Sequence, residues 1–493
     1  MAKHGSTNTV DFIPPRSRYH DKGKFGRMFG QLPPFASDNP TVRKALLDLG
    51  SPLGIMDALD PPGATAKDLI VNPALNVGNA NNSRMTAGMT FLGQFIDHDM
   101  TFDPTSSLER QADPEQIENF RTPTLSLDNL YGSGPDASPQ LYRRGDKTKF
   151  LIESGGTKDD LPRNSEKAAL VGDPRNDENL VLSQLHLAFL KFHNAIVDSL
   201  APTGLAGAEL FCEAQRMTRW HYQWIVLHEF LPLTCGQAVV DDVLQRGRKF
   251  YKWSNEPFIP VEFSVAAYRF GHSQVRPSYR ANFTSNAGAD FFAFIFGNPG
   301  ANPADPDDLR GGARAPRRFI GWPTFFNFGD GSSRPNKKMD TKLSSTLFKL
   351  PSTVIEHPSL PFNPGSLAQR NLLRHLTFGL PSGQRVAQAM KLDVSDMSVL
   401  KPFKLDKATP LWYYILREAE VEALGETLGP VGARIVAEVI IGLLQGDKQS
   451  YLVQDPEWTP SLPTVDPAHQ GTRFSMIDLL TVADPNAGNK ALN

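Results

Sequence analysis

An apolar run from Met85 to Phe102 carries Gln94, Asp97, His98 and Asp99 within six residues, and no other stretch constrains the fold of this chain as strongly. On a helix, i, i+3, i+4 spacing puts Gln94, Asp97 and His98 on one face and turns Asp99 elsewhere. A buried polar group without a partner costs about 1–3 kcal/mol. A helix sunk in a core with four such groups therefore needs partners or ligands on more than one side. A lone histidine in an apolar helix is more often a hydrogen-bonded core residue than a site, but this one has company.

Three further polar pairs follow at i, i+3: Arg175 and Glu178 in Gly-Asp-Pro-Arg-Asn-Asp-Glu, Arg269 and His272 in Tyr-Arg-Phe-Gly-His, and Asn371 and Arg374 in Arg-Asn-Leu-Leu-Arg. Each alone has an ordinary explanation. Arg175 and Glu178 suit an ion pair at a helix start after Pro174, worth about 0.3–0.5 kcal/mol. Arg269 and His272 flank Gly271 and suit a turn, and Asn371 and Arg374 suit the solvated edge of a helix beginning near Ser366.

Taken together and in this order, the four motifs resemble the animal-type heme peroxidases, the peroxidase–cyclooxygenase superfamily, in a compact, bacterial-like form. The resemblance runs from Asn81 to Met390. It implies heme b as cofactor, ester-linked where carboxylates reach its methyls, and a calcium ion. On that pattern His98 is the distal acid–base, Gln94 lines the peroxide and halide site, and Arg175 is the distal arginine. Asp97 and Glu178 are the ester-forming carboxylates, and Asn179 replaces a methionine, so no sulfonium link is expected. His272 is the iron ligand, Asn371 accepts from its imidazole N–H, and Arg269 and Arg374 hold the propionates. Calcium is implied at Asp99 with a loop before Tyr131-Gly132, offering Thr122, Thr124, Ser126 and Asp128; there the Ser and Asp are exchanged relative to the animal pattern.

Residue chemistry suits the same roles. Splitting hydrogen peroxide on iron needs a base that removes a proton from one oxygen and returns it to the other, which a neutral imidazole does near neutral pH. Negative charge developing on the O–O bond calls for a fixed cation, and arginine stays charged in any pocket. A ligating imidazole whose second nitrogen donates a hydrogen bond is oriented and made electron-rich.

The implied activity is reduction of hydrogen peroxide and, through a ferryl iron, oxidation of halide, thiocyanate or small aromatic donors. A fatty-acid dioxygenase of the same superfamily is the alternative; the cyclooxygenases carry a tyrosine three positions before the proximal histidine, where this chain has Arg269, with Tyr268 one residue off. A non-catalytic adhesion or matrix protein on the same fold is a third reading, disfavoured by the joint presence of His98, Arg175 and His272. His186, His193, His221 and His228 fall in helices and read as structural; His4, His20, His357 and His469 lie in loops or tails.

The architecture reads as mainly α-helical with little β. Val181, Leu185, Phe189, Phe192 and Ile196 repeat at helical spacing, a long helix is expected from Ala206 to Phe230, ending before Pro232, and another from Pro430 through Leu444. Residues 1–80 read as an extended arm, 81–449 as one catalytic domain and 450–493 as an irregular tail, with 295–340 a long surface excursion. A net charge of −2 with 21% charged residues argues against a nucleic-acid surface or polybasic anchor. No run of eighteen apolar residues and no N-terminal apolar segment is present, which reads as cytoplasmic without a membrane span, leaderless export being the alternative. Cys212 and Cys235 are the only cysteines, and whether they pair is open, as is the oligomeric state.

Overall fold

The computed structural model describes residues 23–102, 118–119, 121–154, 158–253, 256–283, 290–312, 314–351, 355, 359–360 and 363–490. Its framework is helical. Helices of seven or more residues are numbered in chain order: α1 (Pro40–Leu49), α2 (Ala87–Met100), α3 (Leu180–Leu200), α4 (Gly207–Ile225), α5 (Gln237–Arg246), α6 (Leu367–Thr377), α7 (Gly383–Ala389), α8 (Leu411–Glu422), α9 (Pro430–Gly446) and α10 (Met476–Ala483). Strands are short, in two-stranded pairs and one three-stranded sheet, as the weak alternation of the sequence suggests.

One of these pairs delivers the chain into α2. Asn81–Thr86 runs antiparallel to Pro335–Lys337, with Asn81 opposite Lys337 and Thr86 opposite Pro335. The first N–H groups of α2 have no partner within the helix, and the same loop supplies one: Ala87 donates to Arg334 O at 2.8 Å and Gly88 to Phe325 O at 2.9 Å. Gly88 is required for this approach, because a Cβ there would lie 2.5 Å from the Phe326 ring. On its other side α2 packs on α3, where Phe95 and Phe189 stack with centroids 4.5 Å apart. The five apolar residues that marked α3 in the sequence are all fully buried. Asn179 starts that helix by accepting from Leu182 N at 2.8 Å. Its apolar length is used inside the protein, with 89% of its most apolar window buried.

Several expectations need correction. The helix begun at Gly207 does not stop before Pro232; it widens into a π turn at Val226–Phe230 and continues as Leu231–Cys235. A wide turn spaces the backbone so that proline's missing N–H and ring are accommodated. The 295–340 excursion is not a surface loop throughout, since Trp322, Phe325 and Phe326 are buried against α2. Residues 1–80, read as an extended arm, contain α1, with Asn39 as its cap and Pro40 at its first position. The tail beyond 449, read as irregular, contains Tyr451–Gln454 and α10, which packs on α3 and begins with a reciprocal cap between Ser475 and Asp478. Both helices are short and flanked by Pro and Gly, so composition hid them. Cys212 is exposed, Cys235 is buried, and both are free thiols.

The segment carrying Arg175 and Glu178 is held by close backbone contact. Gly311 N donates to Glu178 O at 2.9 Å, and a Cβ on Gly311 would fall 1.5 Å from Asp177 O. Gly311→Ala must therefore push two backbones apart. Overpacking of this kind costs about 1–3 kcal/mol or more, and a lowered midpoint in thermal denaturation is the expected result.

Candidate active site

One cavity of about 230 Å³ is lined from both ends of the numbering by Gln94, Asp97, His98, Arg175 and Glu178, and by Arg269, His272, Asn371 and Arg374. The helical rule holds here. Asp99, adjacent to His98, faces away from the cavity and accepts from Leu127 N at 3.0 Å.

The wall carrying His98 is a polar network built on two elements. Pro174–Asp177 forms a tight turn capped by Asp173, which accepts from Arg175 N at 2.8 Å. The Arg175 guanidinium doubles back onto Asp173 at 2.9 and 3.1 Å and reaches across to the carbonyls of Thr101 and His98 at 2.5 and 3.3 Å. Its partner is thus Asp173 rather than Glu178, so the simple i, i+3 pair is not what forms. Burial alone would push the Asp173 carboxyl up, but Arg175 and Arg121 outweigh it and hold it well below the usual carboxylate range. Glu178 hydrogen-bonds Gln94 Nε2, and Gln94 Oε1 accepts from Asn179 at 3.2 Å. Burial pushes Glu178 up to about 7 and raises Asp97 as well, the latter despite Arg175 and Arg269 nearby. Asp97 Oδ1 accepts from the Thr101 hydroxyl at 3.0 Å.

The opposite wall starts from Ala267–His272, a tight helical turn that follows a π turn at Glu262–Ala266. Trp412 of α8 pins it by donating to Arg269 O at 3.1 Å. His272 Nδ1 lies 2.7 Å from Asn371 of α6, but the sense differs from expectation. The amide nitrogen faces the ring, while Asn371 Oδ1 accepts from Arg269 at 3.3 Å. A histidine that gives Nε2 to iron carries its proton on Nδ1 and needs an acceptor there, so ligation calls for this amide to present its oxygen. Arg269 competes for that oxygen, a contact that no sequence spacing reveals.

Arg370, missed in the sequence, joins Arg269 and Arg374 on the cavity wall. Burial and the two neighbouring guanidiniums lower it to about 10. It lies one helical turn before Arg374, and that i, i+4 repeat was the available signal. Three clustered cations beside an imidazole, under an apolar lining that includes Phe230, Val265, Leu350 and Phe378, suit a flat apolar ring bearing two carboxylates. The donor set therefore fits heme.

Behind α2, Asp99 and Asp128 are both buried. Burial and the charge of Asp128 push Asp99 up to about 7. Among the described residues Asp99 Oδ1, Thr124 Oγ1 and Ser126 Oγ find no hydrogen-bond partner, while Thr122 O accepts from Thr124 N at 2.8 Å. Leu127 adopts φ +61°, an uncommon conformation for a branched residue, and this turn aims its N–H at Asp99.

The other histidines divide. His193 bonds Tyr131 and Thr148 O, His221 bonds Met217 O and His228 bonds the Tyr451 hydroxyl, so these three are structural as expected. His186 instead contacts Asn176, which contacts His98. His469 lies in an exposed turn, and His4, His20 and His357 fall outside the described residues.

The family model described as animal haem peroxidase matches residues 107–292, a span that includes Arg175, Glu178, Arg269 and His272. Over that span the chain matches the animal haem peroxidase family. The relative Peroxidase mlt-7 of Caenorhabditis elegans is 25% identical over 303 residues, covering 50% of this chain and 41% of that protein. Among peroxidase and peroxidasin relatives the matched share of their own length ranges from 13% to 41%, so the chain spans less than half of them. Peroxidase A from Dictyostelium discoideum superposes with a TM-score of 0.58 at 16% identity, covering 86% of this chain and 88% of that one. A fatty acid alpha-dioxygenase from Arabidopsis thaliana gives 0.54 at 14%, with coverage of 84% and 73%. These likenesses show a shared fold, mainly α with little β.

Among the described residues Asp173 is a carboxylate shared by Arg121 and Arg175, all three buried. Asp173→Asn removes the charge that both guanidiniums face. Breaking a buried pair this way costs about 3–5 kcal/mol, so the urea unfolding midpoint should drop markedly; an unchanged midpoint contradicts the network described.

Proposed function

We propose that this protein is a heme-dependent peroxidase that reduces hydrogen peroxide and oxidises halide, thiocyanate or small aromatic donors. The observation that carries the reading is the convergence of His98 and Arg175 with His272 and three arginines on one cavity. Heme, when bound, supplies the redox-active iron at which peroxide is cleaved and through which donor electrons pass. His272 would hold the iron, and Arg269, Arg370 and Arg374 would hold the propionates.

The protein's own groups do the proton and charge work. His98 takes a proton from peroxide at Nε2 and returns it to the departing oxygen, while Asn176 holds the ring from behind through Nδ1 at 2.8 Å. Arg175, braced by Asp173, keeps a fixed positive charge where negative charge develops. Gln94, tied to Glu178 and Asn179, offers an ordered polar edge for a small donor. Tyr268, the residue nearest to the dioxygenase pattern, lines the same cavity, but its hydroxyl is tied to the backbone, donating to Gly93 O at 3.2 Å. Intact acid–base and cation groups likewise speak against a purely adhesive protein. The purified protein should show a Soret band that responds to peroxide, and His272→Ala should lose it. His98→Ala should retain the cofactor but slow peroxide consumption by about 10²–10⁴-fold. Oxygen uptake with a fatty acid, in place of peroxide turnover, would overturn the assignment.

Calcium is the second proposed ligand, bound by Asp99 and Asp128 with Thr122, Thr124 and Ser126. Hard oxygen donors in a buried loop suit it, and two carboxylates are at the low end of the charge such sites use. An ion that binds only the folded chain stabilises it, so chelation should lower the melting temperature of the wild type and leave Asp99→Ala unaffected. Elemental analysis without calcium would remove the ion from the account.

Asp97 and Glu178 are proposed to form esters with heme methyls during peroxide turnover. Both line the cavity. Acid–acetone extraction and mass spectrometry of peroxide-cycled protein should find heme on peptides bearing these residues, whereas complete release of free heme b would rule the links out.

A further inference from the structure

The sequence makes His186 a core histidine, yet it ends a chain of contacts that begins in the cavity. Asn176 Oδ1 lies 2.8 Å from His98 Nδ1, and Asn176 Nδ2 lies 2.9 Å from His186 Nδ1. None of the three side chains reaches solvent. The backbone of Asn176 is fixed too, its N–H donating to Asp173 O at 3.0 Å within the turn that carries Arg175. The ring of His186 is held edge-on against Phe95, with centroids 6.2 Å apart.

We propose that His186, acting through the Asn176 amide, is a positioning residue that sets which nitrogen of His98 bears the proton, a role that rests on His98 being the acid–base of the cavity. An amide has one donating and one accepting end. A neutral His186 accepting at Nδ1 claims the NH₂ end, so the carbonyl end faces His98. That oxygen can only accept, so His98 must carry its proton on Nδ1. A neutral imidazole has one such proton, and Nε2 is left basic.

The reverse arrangement is equally well bonded and chemically useless. If His186 donated from Nδ1, the amide would turn, its NH₂ would face His98, and the proton of His98 would sit on Nε2. Such a nitrogen cannot accept a proton from peroxide. Burial lowers His186 to about 3 even with Asp173 nearby, and Asp173 is itself engaged by Arg121 and Arg175. His186 therefore stays neutral and does not become a donor at both nitrogens.

Nitrogen-15 shifts of the histidine-labelled full-length protein test this, with diamagnetic zinc protoporphyrin as the probe in the cavity and signals assigned from His98→Gln and His186→Phe. The expected wild-type spectrum has His98 protonated at Nδ1 and His186 protonated at Nε2. In His186→Phe the amide is released and His98 should appear as two tautomers, with peroxide consumption falling by the lost fraction, roughly two-fold if they are equal. In Asn176→Asp both oxygens accept, so His98 should keep its tautomer while His186 alone moves its proton to Nδ1. A single Nδ1-protonated His98 in His186→Phe, or an unmoved His186 in Asn176→Asp, overturns the proposal, and the second variant decides if the first does not fold. The tautomers are read from spectra whether or not peroxide turns over, so failure of the peroxidase reading shows separately.

Discussion

Arg175 ties the end of one helix to the start of another, and the cavity depends on that tie. The last carbonyls of a helix need donors from outside it, and a cation at that end also meets the negative pole of the helix. In this protein the donor is a guanidinium already locked to Asp173, reaching His98 O and Thr101 O at the end of α2. Asp173 caps the turn that leads into α3, so the rotation of His98, the reach of Glu178 and the placement of Asn176 share one electrostatic brace. The close pass of Gly311 along Asp177 seals the same turn from outside.

Much of this was legible because helical geometry acts locally. Gln94, Asp97 and His98 had to share a face and Asp99 had to leave it, and both hold in the structure. The apolar repeat through Val181, Leu185 and Phe189 had to be buried, and it is. What spacing could not say was that segments so far apart in the chain would meet at one cavity. That step came from the order of the motifs and the family they resemble, and the shared fold agrees with it.

The rest was illegible for identifiable reasons. Asn176 carries no sequence signal of its own beside Arg175, and His186 reads as any histidine in an apolar helix; only the tertiary contact joins them. The amide of Asn371 could not be oriented without knowing that Arg269 competes for its oxygen. The helix Met476–Ala483 hid in a Pro- and Gly-rich tail because eight residues give too short a period, although Ser475 and Asp478 spelled its cap. The crossing of Pro232 broke a sound rule, since a π turn relaxes the geometry on which the rule rests.

The arginine wall has a consequence for the life of the chain before its cofactor arrives. Burial, and then the charges of Arg374 and Arg269, make the charge of Arg370 harder to hold, so the folded chain carries internal repulsion that a dianionic ring would relieve. Ligand that binds only the folded form adds stability in proportion to the logarithm of its supply. A cell short of that ring would then be expected to lose the protein itself, through opening and proteolysis, rather than accumulate an intact but idle one.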